Sequence, residues 1–344
     1  MAKILIIRFS AIGDVAMTIP VIHSLATQYP QHHITVLSKT NMAALFKQMP
    51  NNVSFKGIDP KKAHKGISGL NKLYKELKKD NYDYIADFHD VLRSKYLRML
   101  FYINGKKVAH INKGRKEKKA LTRTTHKKNL QLPTSFERYA QVLKKLGLPI
   151  NITFTSIFSE GKGNIESLLH LTGHKDQQKW IGIAPFATHD GKIYPLEKMK
   201  TVIQTLSLEP NVKIYLFGGG EKETEILSDW ERQYQSTICI AGKLTWDTEL
   251  ALISHLDVML SMDSSNMHLA SLVNTPVISI WGATHPHAGF MGWNQPLTNA
   301  IQQDLPCRPC SIFGNKPCLR KDYACLQNIT PEQIVNKLKQ FIYV

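Results

Sequence analysis

No uninterrupted apolar run in this 344-residue chain approaches the roughly 18 residues that a membrane-spanning helix needs. The first apolar stretch, Ile4 to Ile7, is too short for the core of a secretory signal. It reads as a buried strand, and the expected location is the cytoplasm. Cysteine is sparse. Five residues, an odd number, suit a reducing compartment better than a disulfide scaffold. Acidic residues are scarce in one half only. Residues 1–160 hold 28 Lys and Arg against 10 Asp and Glu, a net charge of +18, and the remainder carries −1. Such a split points to an anionic partner for the first half: an acidic glycolipid, an anionic membrane surface or nucleic acid. A merely solubilising surface is the plain alternative. No paired aromatic platform or zinc-finger spacing accompanies the charge, so nucleic acid is not the expected partner.

What the chain does contain is a series of short runs rich in Ile, Val and Leu, separated by helical patterns. Residues 4–8, 34–37, 53–57, 84–88 and 107–110 form one series of candidate strands; residues 180–185, 212–217, 237–240, 257–261 and 276–281 form a second. Continuous apolar strands alternating with helices predict parallel sheets covered on both faces. Two series predict two doubly wound α/β domains, placed at residues 1–165 and 166–330. Pro331-Glu332 before an apolar-periodic run predicts a final helix over 331–344. Ligands in such folds bind beyond the C-terminal strand ends, and the cleft between two such domains is the expected active site. Residues 106–128 are basic and contain Gly114; they read as a surface loop or short helix, and their charge suggests contact with an anionic membrane face.

Several short motifs bear on chemistry. Ser10-Ala11-Ile12-Gly13-Asp14 follows the first strand. Asp14 reads either as a helix N-cap or as a general base taking a proton from a hydroxyl. Thr188 and Lys192, on a loop after residues 180–185, are within reach of a diphosphate, with lysine acting as a compact charge; a solvated loop lysine is the alternative. Gly218-Gly219-Gly220-Glu221 permits close ligand approach, but without the full dinucleotide fingerprint. Met262-Asp263-Ser264-Ser265-Asn266-Met267-His268 joins strand to helix. It sets hydroxyls and unpaired N–H groups at a helix start, where a phosphate is favoured. His268 is either packed or a phosphate contact. Cys307, Cys310, Cys318 and Cys325 form a compact cluster. Their spacing lacks a second C-x2-C, so reduced thiols or a metal-free loop are preferred over a zinc site. Cys239 reads as a core residue.

In this order, and with Gly282-Ala283-Thr284-His285-Pro286 and the cysteine-rich tail, these motifs resemble the ADP-heptose:lipopolysaccharide heptosyltransferases, glycosyltransferase family nine, along nearly the whole chain. The resemblance implies a GT-B fold of two Rossmann-like domains. The first domain would take the acceptor and the second the nucleotide sugar. Asp14 would be the catalytic base. Thr188, Lys192, Ser264 and Ser265 would hold the diphosphate, and Lys192 would offset leaving-group charge. Glu221 would bind the nucleoside, and Leu244 would lie beside the base. Asp263 would touch the sugar or position the phosphate-binding helix, which His268 would support. The resemblance implies inverting transfer of a heptose from ADP-heptose to the anionic, lipid-anchored inner core, Kdo-lipid A or heptosyl. No cofactor or obligatory metal is implied. Ser265 stands where the family typically has glycine. A different nucleotide sugar on the same fold is the first competing expectation, and a nucleic-acid-binding protein the second.

Overall fold

The computed structural model describes residues 1–159 and 161–343. The chain divides into two compact units. The first comprises Met1–Lys113 and Ser135–Ile157; the second comprises Gly114–Thr134 and the chain from Phe158 onward.

In the first unit the chain runs β1 (Lys3–Ile7), α1 (Ile12–Ala16), α2 (Ile19–Gln28), β2 (His33–Lys39), β3 (Val53–Ile58), α3 (Gly66–Lys78), β4 (Tyr84–Asp87), α4 (Leu92–Ile103) and β5 (Lys107–His110). After an excursion into the second unit through α5 (Arg115–Leu121), α6 (Ser135–Leu146) returns to it. All strand pairs are parallel, in the order β3-β2-β1-β4-β5. Four of the five β1 residues are buried, as a strand covered on both faces requires. Leu70, Leu73 and Leu77 of α3 and Leu97 and Phe101 of α4 pack with Leu5, Ile7 and Ile85 in one core.

In the second unit α7 (Leu169–Thr172) precedes β6 (Lys179–Ala184), α8 (Leu196–Ser207), β7 (Val212–Leu216), α9 (Glu221–Gln233), β8 (Thr237–Cys239), α10 (Trp246–His255), β9 (Val258–Met262), α11 (Ser265–Leu272) and β10 (Val277–Trp281). A three-residue edge strand β11 (Ala300–Gln302), α12 (Ala324–Gln327) and α13 (Pro331–Ile342) complete it. The sheet order is β11-β10-β9-β6-β7-β8, again all parallel. Numbered within the unit, this is 3-2-1-4-5-6, the doubly wound dinucleotide-fold order. Helix α13 starts at a reciprocal cap. Gln333 N–H donates to Thr330 Oγ1 at 3.2 Å, and Thr330 N–H donates to Gln333 Oε1 at 3.0 Å, with Pro331 at the first turn. Its Ile334, Val335, Leu338 and Ile342 enter the main core of the unit. Each such side chain contributes roughly 1.5–3 kcal/mol by leaving water.

The sequence reading assigned residues 114–134 to the first domain, but here they group with the second unit. Lys118 Nζ lies 4.2 Å from the Phe290 ring centre. Lys127 Nζ donates to the carbonyls of Pro306 and Pro309, each at 3.1 Å, and Leu132 N–H donates to the His287 carbonyl at 2.9 Å. The charge balance moves with this segment. The first unit holds 21 Lys and Arg against 8 Asp and Glu, net +13, and the second holds 23 against 19. Among the described residues, no helix is long and apolar enough to cross a membrane.

Candidate active site

A doubly wound sheet has one place where neighbouring strands send their connections to opposite faces, and ligands bind there. In the first unit it lies between β1 and β4. Arg8 extends β1 by one residue, and its Nη2 sits 2.6 Å from Asp14 Oδ2. The same oxygen accepts the Ala11 N–H at 3.1 Å. Ala11, not Asp14, is therefore the N-cap of α1. Asp14 is the third helical residue, and its carboxylate turns back to satisfy the cap N–H. The carboxylate remains 35% exposed, while Arg8 is almost wholly buried. Arg8 also donates to the Phe88 carbonyl at 2.9 Å. Burial opposes its charge, but Tyr139, Asp14 and Asp87 outweigh that and raise its pKa.

Beyond β4, His89 Nδ1 accepts the Phe9 N–H at 3.2 Å. Burial, followed by the Arg8 charge, pushes the His89 pKa down to about 3, so the ring is a neutral acceptor at physiological pH. Fully buried Asp87 accepts from the N–H groups of His89 and Asp90 and from Arg98 Nη1, at 2.8–2.9 Å. Sequence reasoning singled out Asp14 but not its neighbours Arg8 and His89. The available signal was positional: each stands just past one of the two strands that flank the divergence.

In the second unit the corresponding point lies between β6 and β9. The loop after β6 carries exposed Thr188 and then Lys192. Lys192 Nζ donates to the Asp263 carbonyl at 3.1 Å and forms an ion pair with Asp263 Oδ2 at 2.9 Å. The Asp263 side chain is 4% exposed and that of Lys192 is 15% exposed. The lysine stem lies along Gly314 (φ +74°), where a Cβ would come within 2.7 Å of Lys192 Cγ.

Asp263 opens the turn between β9 and α11. Ser264 has the extended backbone of an N-cap, yet its side chain makes no cap hydrogen bond. Its Oγ instead lies 3.2 Å from Ser261 Oγ. The first-turn N–H groups of α11 therefore lack that internal acceptor, as an anion-binding helix start should. Ser265 and Asn266 are half-buried at this end, and His268 is buried one turn further on. Exposed Glu221 opens α9 after Gly220 (φ +80°). The glycine turn before it is held by another residue, Glu223, whose Oε2 accepts the Gly219 N–H at 2.8 Å. Half-buried Leu244 precedes Thr245, the N-cap of α10. The structure thus brings Lys192, Asp263, Ser264 and Ser265 to one sheet end; Asp14 belongs to the other unit.

The cysteine-rich loop supports this site. Cys310 and Ser311 donate their N–H groups to the Ala283 carbonyl, and Ala283 N–H donates to the Gly191 carbonyl beside Lys192. Buried Arg308 donates to the carbonyls of Gly282, Trp281, Thr284 and Gln303 and to Gln302 Oε1. Cys307, Cys310, Cys318 and Cys325 line one small cavity with Arg308 and Tyr323, and all are free thiols. Burial raises the Cys310 pKa and pushes that of Cys325 up to about 11. Among the described residues no three His, Cys, Asp or Glu side chains are arranged to hold a metal ion. Cys239 is buried in β8.

The family model for glycosyltransferase family 9 (heptosyltransferase) matches residues 70–319. Lipopolysaccharide heptosyltransferase 3 of Escherichia coli is 27% identical over 291 residues, 83% of this chain and 84% of that protein. A family 9 glycosyl transferase from Veillonella parvula shares the fold with a TM-score of 0.74 at 18% identity, over 99% of this chain and 97% of the other. The E. coli ADP-heptose LPS heptosyltransferase II does so with a TM-score of 0.72 at 19% identity, over 99% and 98%. Two doubly wound units of this kind make up the GT-B fold, and with the family model spanning most of its length, the chain belongs to glycosyltransferase family 9, the heptosyltransferase family.

Proposed function

We propose that the chain transfers a heptose from ADP-heptose to the inner core of lipopolysaccharide, with inversion at the anomeric carbon. The observation that carries the donor half of this reading is the Lys192–Asp263 pair beside the uncapped start of α11. A fixed ammonium and a set of backbone N–H groups suit a diphosphate leaving group, whose charge grows in the transition state. In this reading Ser264, Ser265 and Thr188 donate to the diphosphate. Lys192 offsets the departing charge, and Asp263 holds Lys192 in place. Glu221 takes the ribose hydroxyls, Leu244 lies against the adenine, and His268 packs under the helix. No step needs a metal or cofactor.

The first unit takes the acceptor. Asp14 removes the proton of the attacking hydroxyl, oriented by Arg8 through their 2.6 Å ion pair. The net charge of +13 on that unit suits an anionic, lipid-anchored glycan. Such an acceptor places the enzyme in the cytoplasm, at the inner face of the inner membrane.

The test is turnover with ADP-heptose and a deacylated, Kdo-containing acceptor. Wild type is expected to form product. Asp14→Ala is expected to lose it while keeping its affinity for ADP. Retained ADP binding without product from the wild type would overturn the donor sugar or the acceptor. A clear preference for UDP or GDP would overturn the nucleotide.

A further inference from the structure

Helix α4 presents apolar residues on both of its sides. Ser94, Leu97 and Phe101 face the core, as the helical period requires. The opposite side carries Leu92, Met99 and Ile103, which are 87%, 47% and 69% exposed, with Tyr102 at 67% beside them. Leu92, Met99 and Ile103 stand at i, i+7 and i+11, one continuous stripe of a 3.6-residue helix. A soluble surface helix would be polar there.

The surroundings of the stripe are basic. Helix α4 contains no acidic residue and contributes exposed Arg93, while its Arg98 and Lys95 pair with Asp87 and Asp90 just before the helix. Helix α3 lies alongside: Tyr96 of α4 donates to Asn71 Oδ1 at 2.8 Å, and Lys78 donates to Asn104 Oδ1 at 3.2 Å. Residues 61–79 hold seven lysines and one Glu. That Glu76 sits 3.6 Å from His64 Nε2, leaving Lys72, Lys75 and Lys79 in an exposed row with Ile67, itself exposed, at its start.

We propose that the α3–α4 face of the first unit is the surface that docks on an anionic lipid bilayer. An exposed apolar stripe rimmed by Lys and Arg is the pattern of an interfacial helix, whose apolar side enters the headgroup region while the basic side chains reach lipid phosphates. A second copy of the chain is disfavoured as occupant, because an isologous contact would set the same lysine row against itself. The face is also well placed. Leu92 begins α4 three residues after His89, whose ring holds the Phe9 backbone just before the Asp14 turn. Docking there would bring the headgroup layer to the end of the sheet that carries Asp14. The idea rests on the lipid-anchored acceptor of the proposed function. It differs from the basic segment 106–128 singled out in the sequence, where Lys118 and Lys127 are engaged with Phe290 and with the Pro306 and Pro309 carbonyls.

The experiment is co-sedimentation of the whole protein, without donor, with vesicles of phosphatidylglycerol and phosphatidylcholine and with phosphatidylcholine alone. Wild type is expected to bind the anionic vesicles at least about tenfold more tightly, and to be released by salt. The triple variant Leu92→Ser, Met99→Ser, Ile103→Ser should weaken anionic binding by about tenfold or more. Lys72→Gln with Lys75→Gln should weaken it about fivefold per lysine. Circular dichroism and turnover on a deacylated acceptor should be unchanged in both. Wild-type affinity in the triple variant, or equal wild-type binding to both vesicle types, would overturn the proposal. A wild-type dimer that the triple variant converts to monomer, without vesicle binding, would assign the face to a second copy. Vesicle binding as expected with no heptose transfer would overturn the proposed reaction alone.

Discussion

The ammonium of Lys192 is shared by two oxygens of one residue, the carboxylate of Asp263 at 2.9 Å and its backbone carbonyl at 3.1 Å. The pair joins the loop after β6 to the turn after β9, so removing either partner has two consequences. Lys192→Met is expected to lower kcat by about 10²–10³-fold through lost leaving-group stabilisation. It also strands a buried carboxylate, at about 3 kcal/mol of stability. Adding Asp263→Asn to that variant should restore part of the stability and none of the turnover, as read by urea denaturation and initial rates.

Gly314 tests whether the placement of Lys192 is set from outside its own loop. Its φ of +74° and the 2.7 Å approach that a Cβ would make to Lys192 Cγ both disfavour a side chain. Gly314→Ala should cost about 1–2 kcal/mol from the left-handed backbone alone. It should also lower kcat by tenfold or more, since misplacement on the order of 1 Å is expensive in catalysis. Gly161→Ala is the control: its Cβ meets the Phe158 carbonyl at an ordinary 3.6 Å, and both quantities should stay at wild-type values.

Arg308 holds five oxygens at the end of β10 and the start of the cysteine-rich loop. Arg308→Met would leave several buried carbonyls without donors, at about 1–3 kcal/mol each for those that water cannot reach. Thermal unfolding should show a loss of at least about 3 kcal/mol. Arg308→Lys should rescue little of it, because one ammonium cannot reproduce the planar fork.

His89 gives the fold a defined acid response. In the folded protein its pKa is depressed to about 3 by burial and by Arg8; in the unfolded chain it lies near 6.5. The unfolded state therefore takes up the proton first. The associated stability is complete above pH ~6.5 and drains away as pH falls towards 3. At pH ~4.5 the loss should be about 2.7 kcal/mol. His89→Asn keeps an acceptor for the Phe9 N–H and should flatten the Tm profile between pH 7 and 4.5. An unchanged slope would assign the acid sensitivity to other groups.

Much of the strand layout was legible because strands buried on both faces must be apolar throughout, and such runs have no other soluble use at this length. Residues 107–110 and 212–217 are strands within a residue of the expected ends. Strand β11 was not legible: Ala300, Ile301 and Gln302 are three half-buried or exposed residues, too few for a period. The cap reading of Asp14 misjudged its place in the helix, since a side chain that caps from the third position and one that caps from the first look alike without the backbone. The pairing of Lys192 with Asp263, 71 residues apart, leaves no trace in local pattern. The same holds for the affiliation of residues 114–134, whose composition is basic and whose buried anchors are few, among them Leu121 and Leu132.

That last segment carries a consequence for synthesis. Because Gly114–Thr134 lies in the chain between the two stretches that form the first unit, neither unit is a single uninterrupted length of polypeptide. Lys127 leaves the ribosome 179 residues before the proline whose carbonyl it will hold. At about 5–20 residues per second that is a wait of roughly 10–40 s. During that interval the first unit can close around its own sheet, while a basic strap of 21 residues stays undocked, held at both ends by a domain already folded.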